Sequence, residues 1–388
     1  MREGWAYRKL GEVCESDLGK TLNSSKDTGE MRPYLCAINI LWDKIDFTTL
    51  KQTRFEESEL ERYTVRKGDL LICEGGDIGR AAIWDKDYSI QYQNALHRVR
   101  FTDSVAPRFC LYFFMYLKNS GILDGRYGKG ITIKHLVKSS LMSIPIPVAP
   151  IDNQLSIVTE LDKINELIGL KKSQLSDLDR LAQSIFYDMF GDPVKGIKFE
   201  RSTIGNVITN IKYGTGSPPQ FSDSGFCFIR ATNIKNGHID SKDMMYIDAN
   251  EASRIEKCRL SSNDLIIVRS GVNAGDTSNI PAEYVGHYAG YDIIITVNKE
   301  LVNTTYINGV LNNKDYVRMI IKPLTRRAAQ PHLNSQQVQG MSIPLPPLPL
   351  QQSFAARITA IEQQKQRISV SIKDLETLLA SRMQYWFD

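Results

Sequence analysis

Apolar residues recur along two long stretches of the chain at alternating intervals of four and three residues. An apolar repeat of 3.5 residues over this length indicates a coiled-coil helix, because it keeps one seam of side chains facing a neighbouring helix. The two stretches therefore predict two long helices that pack through this seam. The apolar seam positions are Ile157, Leu161, Ile164, Ile168, Leu175 and Leu178 in the first stretch and Phe354, Ile358, Ile361, Ile368, Ile372 and Leu375 in the second.

Basic residues interrupt the seam at Lys171, Lys365 and Arg382. A polar residue in a coiled-coil seam can specify the register and the partner at a cost in stability. A long basic side chain can instead carry its charge to solvent from a loosely packed end, and the sequence leaves both interpretations open. Asp152 follows a proline-containing segment and is expected to cap the first helix. That helix would be about 55–60 Å long if it reaches Phe190.

The sequence contains an internal repeat. Short segments of the first half recur in the second half in the same order, with offsets of 194 to 199 residues. Each match is short, but an ordered set at a nearly constant offset indicates a duplication. The matched pairs are residues 10–13 with 204–207, 37–40 with 231–234, 67–72 with 262–267, and 142–147 (MSIPIP) with 341–346 (MSIPLP).

The part of each half before its long helix is rich in short strand-like runs, with turn signals such as Gly75-Gly76 and Asn236-Gly237. We therefore predict an α+β protein with two duplicated α/β domains, each followed by a long helix, and with the two helices pairing as an antiparallel coiled coil. Such helices would hold the domains at a fixed separation. The predicted boundaries are residues 1–150 for the first domain, 151–192 for the first helix, 193–348 for the second domain and 349–388 for the second helix.

Catalytic sequence motifs are missing. No phosphate-binding loop, dinucleotide fingerprint, zinc-protease motif or nucleophile elbow occurs, and the histidines and cysteines show no metal-ligand spacing. We therefore predict a non-catalytic binding protein without a metal site. The chain is 42% hydrophobic and 24% charged, and its six cysteines form no C-x-x-C pair. No signal peptide or membrane-spanning run is recognisable, so a cytoplasmic location and no membrane partner are expected.

The basic residues are distributed unevenly. The net charge of +4 is weak evidence for any partner, but residues 88–150 and 313–340 are each rich in Lys and Arg with interspersed Tyr, Asn and Gln. This mixture suits binding to DNA phosphates together with readout of base edges. Arg269 occupies the repeat position of Glu74, so the two domains differ where they would need to differ to read different bases. The candidates for DNA contact are Arg80, Gln91, Gln93, Asn94, Lys129, Thr132 and Lys134 in the first domain and Tyr213, Arg230, Arg269, Tyr291, Arg326, Arg327 and Gln330 in the second.

Several of these features together resemble the specificity (S) subunit of type I restriction–modification enzymes. The resemblance rests on the run GDLLI followed by Gly76-x-x-Gly79, on its partner at residues 263–271, and on the IPIP and IPLPP segments immediately before the long helices. The family has a Glu-Gln pair at the start of each helix. This chain has Asp152-Asn153-Gln154 and Gln351-Gln352 there, which is a mild departure.

The resemblance implies two target-recognition domains, each reading one half of a bipartite double-stranded DNA target. It implies that the helices act as spacers, like a molecular ruler, and as docking surfaces for two modification (methyltransferase) subunits. Restriction subunits would join the full complex. S-adenosylmethionine is then expected on the methyltransferase subunits, and no cofactor is expected on this chain.

The residues alone also allow two other functions. One is a single-chain DNA methyltransferase or nuclease with degenerate motifs, and the other is a scaffold that carries two modules with non-DNA ligands on a coiled coil. Activity of the purified chain with S-adenosylmethionine or Mg²⁺ and DNA would favour the first. A lack of salt-dependent DNA binding would favour the second.

Overall fold

A computed structural model describes residues 4–23, 25, 27–130, 134–196, 198–325 and 331–388 of the chain. The strands of the first half are β1 (Ala6–Lys9), β2 (Cys14–Leu18), β3 (Glu30–Leu35), β4 (Ile40–Leu41), β5 (Lys44–Ile45), β6 (Lys51–Phe55), β7 (Thr64–Val65), β8 (Leu70–Cys73), β9 (Ala81–Ile83), β10 (Ile90–Tyr92), β11 (Leu96–Phe101) and β12 (Pro145–Val148). Its helices are α1 (Glu57–Leu60), α2 (Pro107–Asn119), α3 (Lys138–Met142) and α4 (Ile151–Phe190).

The second half largely repeats this order, without a strand equivalent to β7 and with more short helices. Its strands are β13 (Arg201–Thr203), β14 (Ile208–Tyr213), β15 (Phe226–Ile229), β16 (Ile234–Lys235), β17 (His238–Ile239), β18 (Met245–Ile247), β19 (Asp264–Ile267), β20 (Thr277–Asn279), β21 (Tyr288–Ala289), β22 (Ile293–Val297) and β23 (Ser342–Pro344). Its helices are α5 (Ile204–Val207), α6 (Ala249–Arg254), α7 (Thr304–Leu311), α8 (Lys314–Tyr316), α9 (Lys322–Thr325), α10 (Ser335–Gln339) and α11 (Leu348–Phe387). The predicted α+β class is confirmed. Within the described ranges, no helix is both long enough and apolar enough to cross a bilayer.

Contacts between residues divide the chain into two compact units, Met1–Lys172 with Val370–Asp388, and Ser173–Ser369. The boundary falls inside both long helices, α4 and α11. Each unit therefore contains one globular part, the beginning of the helix that follows that part, and the end of the other long helix.

Within the first unit the two long helices run antiparallel. Glu160, near the start of α4, accepts hydrogen bonds from Arg382 and Trp386, near the end of α11. Lys172 lies further along α4 and pairs at 2.8 Å with Glu376, which lies earlier on α11. Arg382 interrupts the predicted seam, and its pairing across the helices favours a role in specifying register over a charge that merely extends to solvent.

The second unit has the same helix direction. Lys365 of α11, another polar seam residue, lies 2.8 Å from Asp179 of α4 and 3.1 Å from Glu362. Phe354 lies earlier on α11, and its ring centroid is 5.7 Å from that of Phe186, later on α4. The predicted antiparallel pairing is therefore confirmed. None of the predicted apolar seam residues is exposed, since each is buried or half-buried.

Each globular part contains two sheets of three or four strands, beside two-stranded pairs such as β1-β12 and β13-β23. The strand orders are β2-β11-β8-β9 and β6-β3-β10-β7 in the first unit and β14-β22-β19-β20 and β18-β15-β21 in the second. Strand β19 shows how the sequence produces this layering. Leu265 and Ile267 pack among residues of the helices, whereas Ile266 and the following Val268 pack against the smaller sheet. Successive side chains of a strand point to opposite faces, so a strand covered on both faces needs a continuous apolar run.

Aromatic residues at the ends of the long helices complete both cores. In the first unit, the ring centroid of Phe387 lies 5.2 Å from that of Phe109 and 5.6 Å from that of Phe113, and both of these residues are on α2. In the second unit, the ring of Phe190 lies 4.7 Å from Tyr306 on α7. Each globular part is thus packed against the end of the helix that follows the other globular part.

A buried glutamine joins the start of each long helix to its globular part. The Gln154 side chain accepts a hydrogen bond from the backbone N–H of Ala106 and donates to the carbonyls of Ser104 and Ala149. Gln351 makes the equivalent three bonds in the second unit. Both side chains are completely buried, so these residues satisfy backbone groups that water cannot reach.

The expected cap at Asp152 is wrong. Helix α4 already begins at Ile151, and the Pro150 carbonyl accepts a hydrogen bond of 3.1 Å from the Gln154 N–H. Asp152 therefore lies in the first helical turn, where its negative charge still favours the positive end of the helix dipole.

Replacing Gln351 with Ala should destabilise the second unit by about 2–4 kcal/mol, because it leaves the Asn303 N–H and the carbonyls of Leu301 and Pro346 without their buried partner. The neighbouring Gln352 is exposed, and Gln352→Ala is the matched control, with an expected change within about 0.5 kcal/mol. Urea unfolding of both variants measures the difference. Equal effects of the two substitutions would contradict the assigned role.

Candidate nucleic-acid interface

One end of a four-stranded sheet gathers several loops in each unit, β2-β11-β8-β9 in the first and β14-β22-β19-β20 in the second. In the first unit, β2 and β8 end where β11 begins, since Leu18 pairs with His97 and Cys73 pairs with Leu96. The registers of the second unit likewise place the ends of β14 and β19 beside the start of β22. We call the loops at this place the loop edge. It comprises residues 19–21, 74–80, 93–95, 127–130 and 134–136 in the first unit and residues 213–216, 268–275, 290–292 and 331–335 in the second.

A tight loop with a glycine at its end lies at the centre of each loop edge. The N–H of Gly79 donates to the Cys73 carbonyl at 2.9 Å, and that of Gly275 donates to the Val268 carbonyl at 2.9 Å. Both glycines have positive φ angles, 78° and 97°. A Cβ atom at either position would lie about 2 Å from a neighbouring side chain, so only glycine fits there. The second loop contains one more residue than the first.

Glu74 and Arg269 occupy equivalent positions in these loops. The Glu74 carbonyl accepts a hydrogen bond from Leu136 N–H at 2.7 Å, and the Arg269 carbonyl accepts one from Leu333 N–H at 2.9 Å. The backbone frame is therefore the same, while the side chains carry opposite charges. Two histidines form β-bridges to these loops, His135 in the first unit and His332 in the second. Sequence reasoning missed them, although they lie 197 residues apart, within the offsets of the repeat.

The first loop edge presents some of the candidate DNA contacts. Gln93 and Asn94 lie side by side, half-buried, with a hydrogen bond of 3.1 Å between their amides. Lys129 is exposed in the neighbouring loop. These three side chains combine amide groups that suit base edges with a cation that suits phosphate. The candidate Thr132 lies outside the described residues.

The other three candidates of the first unit have partners within the protein. Arg80 and Lys134 each donate to a backbone carbonyl, at 2.9 and 2.8 Å. Gln91 is 6% exposed, and its amide donates to the Thr64 hydroxyl at 3.3 Å within the sheet β6-β3-β10-β7. Gln91 is therefore buried and not positioned to touch DNA in this structure. It lies on the face of β10 opposite to Ile90 and Tyr92, which pack in the core between the two sheets.

The second loop edge brings Tyr213, Arg269 and Tyr291 together. The Arg269 guanidinium lies 4.7 Å from the centroid of the Tyr213 ring, and the Arg269 backbone N–H donates to the carboxylate of Asp292 at 3.0 Å. Val272 stands at the tip of the loop and is 98% exposed. Sequence reasoning missed Val272, because a single valine in a glycine-containing run does not reveal whether it faces solvent.

The remaining candidates of the second unit are less informative. Arg230 follows β15, next to the loop edge, since the Ile229 carbonyl accepts a hydrogen bond from Gly290 N–H at 2.8 Å. Its guanidinium donates to the Asp243 carbonyl at 2.5 Å. Three candidates lie outside the described residues: Arg326, Arg327 and Gln330. The described residues contain no group of three or more His, Cys, Asp or Glu that could hold a metal ion.

Both halves of the chain match the family model described as the type I restriction modification DNA specificity domain, over residues 2–180 and 197–375. The chain belongs to this family. The predicted type I specificity subunit with two target-recognition domains is therefore confirmed. Its family membership also confirms the prediction of a non-catalytic subunit, which rested on the missing motifs and on the resemblance.

Individual relatives agree with this assignment. The MjaVIII specificity subunit of Methanocaldococcus jannaschii is 21% identical, over 97% of this chain and 92% of the relative. The EcoKI specificity subunit of Escherichia coli is 22% identical, over 69% of this chain and 62% of the relative. Among solved structures, the S subunit from M. genitalium superposes with a TM-score of 0.59 at 14% identity, covering 99% of this chain and 96% of that one. A chain from a study of complex assembly and conformational transition of the type I R-M system gives a TM-score of 0.61 at 17% identity, covering 99% and 97%. These structures share the fold.

A buried carboxyl group underlies the second loop edge of this specificity subunit. Burial raises the pKa of Asp292 to about 6, and the Arg269 N–H and guanidinium counteract that rise only in part. The side chain is 3% exposed. Sequence reasoning missed Asp292, because an acidic residue at the start of an apolar strand is usually part of an exposed turn.

The free energy of unfolding of Asp292→Asn should exceed that of wild type by an amount that grows as the pH rises. The raised pKa means that the folded state holds the proton between about pH 4 and 6 while the unfolded state has lost it, so wild-type stability falls across this window by up to about 3 kcal/mol. The amide of Asn keeps an acceptor for the Arg269 N–H and does not ionise. Melting temperatures at pH 4.5 and 7.5 measure the effect. Asp223→Asn, at an exposed position, is the control, and a difference between Asp292→Asn and wild type that does not vary with pH would contradict the assignment.

Proposed function

We propose that this specificity subunit reads a bipartite double-stranded DNA target, with one half-site contacted by the loop edge of each target-recognition domain. The proposal rests on one observation: the two loop edges have matching backbone hydrogen bonds and different side chains. Equivalent positions hold Leu18 and Glu74 in the first domain and Tyr213 and Arg269 in the second. The shared frame supports a shared task, and the different hydrogen-bonding groups support two different base sequences.

A selection from random DNA, or sequencing of methylated DNA made with the matching methyltransferase subunits, should yield two short half-sites separated by unspecified bases. Binding should weaken about 10³- to 10⁵-fold between 50 and 200 mM salt if six to ten phosphates are contacted. A continuous target, or binding that salt does not affect, would contradict the proposal. The purified chain alone, incubated with DNA and S-adenosylmethionine or Mg²⁺, is the control for the alternative that this chain is itself an enzyme.

The partner proteins follow from the same proposal. We propose that two methyltransferase subunits and, in the full complex, restriction subunits assemble on this chain, and that the methyltransferase subunits hold S-adenosylmethionine. Apolar side chains that project away from the helix seam support docking on the long helices: Leu167, Leu170, Leu181 and Leu378, each between 45% and 56% exposed. Surface leucines of this number on a polar helix suit a protein partner. The complex would act in the cytoplasm, in keeping with six free cysteines.

The long helices would also set the number of bases between the half-sites. Helices α4 and α11 have 40 residues each, and α4 connects the two domains in sequence. Their ion pairs, Arg382 with Glu160 and Lys365 with Asp179, support a single register of the antiparallel pair. A fixed register gives a fixed connection, and this is the property that a ruler requires.

Removing one heptad from the middle of each long helix should change the spacer and leave both half-sites unchanged. Seven residues correspond to about 10 Å of helix, or roughly three base pairs. The same selection from random DNA measures the outcome. Removing a heptad from α4 alone is the control, because it breaks the pairing of the seam and should abolish recognition of the bipartite target. Altered half-sites in the double deletion would contradict the ruler.

A further inference from the structure

We infer that Arg269 reads a guanine in the half-site of the second target-recognition domain, with Tyr213 positioning its guanidinium. The inference rests on the proposed function and adds the identity of a base. It would make Arg269 a residue that determines specificity, whereas other basic residues of the domain would supply affinity through phosphates.

The guanidinium of Arg269 has no hydrogen-bond acceptor among the residues that the structure describes. In the described part of the second domain, every other arginine donates at least one side-chain hydrogen bond to a protein acceptor: Arg201, Arg230, Arg254, Arg259 and Arg318. Arg269 donates none to any described residue, and its Nε atom is buried without a partner. An arginine with free donors is costly to hold in a partly buried place unless a ligand satisfies them.

The side chain is nevertheless fixed in position. Its guanidinium stacks on the Tyr213 ring at 4.7 Å, and the Tyr213 hydroxyl accepts a hydrogen bond of 2.9 Å from Ser335 N–H. The Arg269 backbone is held at its N–H by Asp292 and at its carbonyl by Leu333. A stacked guanidinium presents its donor edge in one plane, which lowers the entropy lost on bidentate binding.

A phosphate and the O6 and N7 atoms of guanine both accept a bidentate arginine. The first domain distinguishes these ligands, because its equivalent residue is Glu74, held in the same backbone frame. A carboxylate facing phosphate would be repelled, whereas a carboxylate facing base edges can accept from the N4 amino group of cytosine. The position therefore faces bases. The neighbours of Arg269 agree, since Tyr291 and Val272 are large exposed side chains without charge.

The test determines base preferences by selection from random DNA with the full chain assembled with its methyltransferase subunits. For wild type we expect a bipartite target with a guanine in one half-site. For Arg269→Ala the preference for guanine at one position should fall about 5- to 150-fold, while the other half-site stays unchanged. Arg269→Lys keeps the charge but loses the bidentate fork, so it should lose the same preference and retain most of the overall affinity.

Tyr213 acts through Arg269, so its variants should affect the same base. Tyr213→Ala should weaken the preference at that guanine alone, and Tyr213→Phe, which keeps the stacking ring, should retain it. Arg254→Ala is the matched control, because Arg254 is bound to Glu251 on α6, with an Nη2–Oε2 distance of 2.7 Å, and should leave every base preference unchanged.

Each outcome decides one question. A uniform loss of affinity at all bases in Arg269→Ala and Arg269→Lys would make Arg269 a phosphate contact and overturn the inference, as would unchanged preferences in both. If Arg269→Ala does not fold, Arg269→Lys decides alone. Failure of the proposed function looks different, because wild type itself would then yield no bipartite target.

Discussion

Phe190 and Phe387 close the cores of the two units from the ends of the long helices. The sheet of each globular part leaves an apolar face, and the helix that follows it covers only part of that face. The rest is covered by the end of the other helix. Within each unit, the pairing of the two helices and the core of the globular part therefore belong to one packing arrangement. The position of the loop edge depends on that packing, since the strands that carry it form the sheet that the helices cover.

In the loop edges, the residues that hold the backbone in place differ from those whose side chains are exposed. Glycines with positive φ, short backbone hydrogen bonds and the pairing of the sheet strands determine where the loops lie, and none of these depends on the identity of the exposed side chains. Glu74 and Arg269 show the result, with opposite charges on matching backbones. A protein that must read many sequences with one fold needs this separation, because a change of base preference then costs little stability.

The long-range plan of the molecule could be predicted from the sequence, whereas single side chains often could not. The heptad spacing and the ordered repeat predicted the long helices and their antiparallel pairing. Each of these two patterns is shared by many residues, so a single atypical residue does not hide it. Asp152 was misassigned because the Pro150 carbonyl begins the helix two residues earlier than the capping pattern suggests. Gln91 was chosen for its chemistry, but whether a residue of a three-residue strand is buried depends on what covers its face of the sheet, and the run itself does not contain that information. The burial of Asp292 and the exposure of Val272 depend in the same way on tertiary packing.

Each central loop begins and ends on the same pair of backbone atoms, a carbonyl at the strand end and the N–H of a glycine. The number of residues in between is not the same in the two domains, yet the closing hydrogen bond has the same length in both. The ends of the loop are therefore held in the same way in both domains, while its residues and its length differ. Insertion of a residue changes how far the tip projects without shifting the strands behind it. New DNA specificities could therefore arise by small insertions as well as by substitutions.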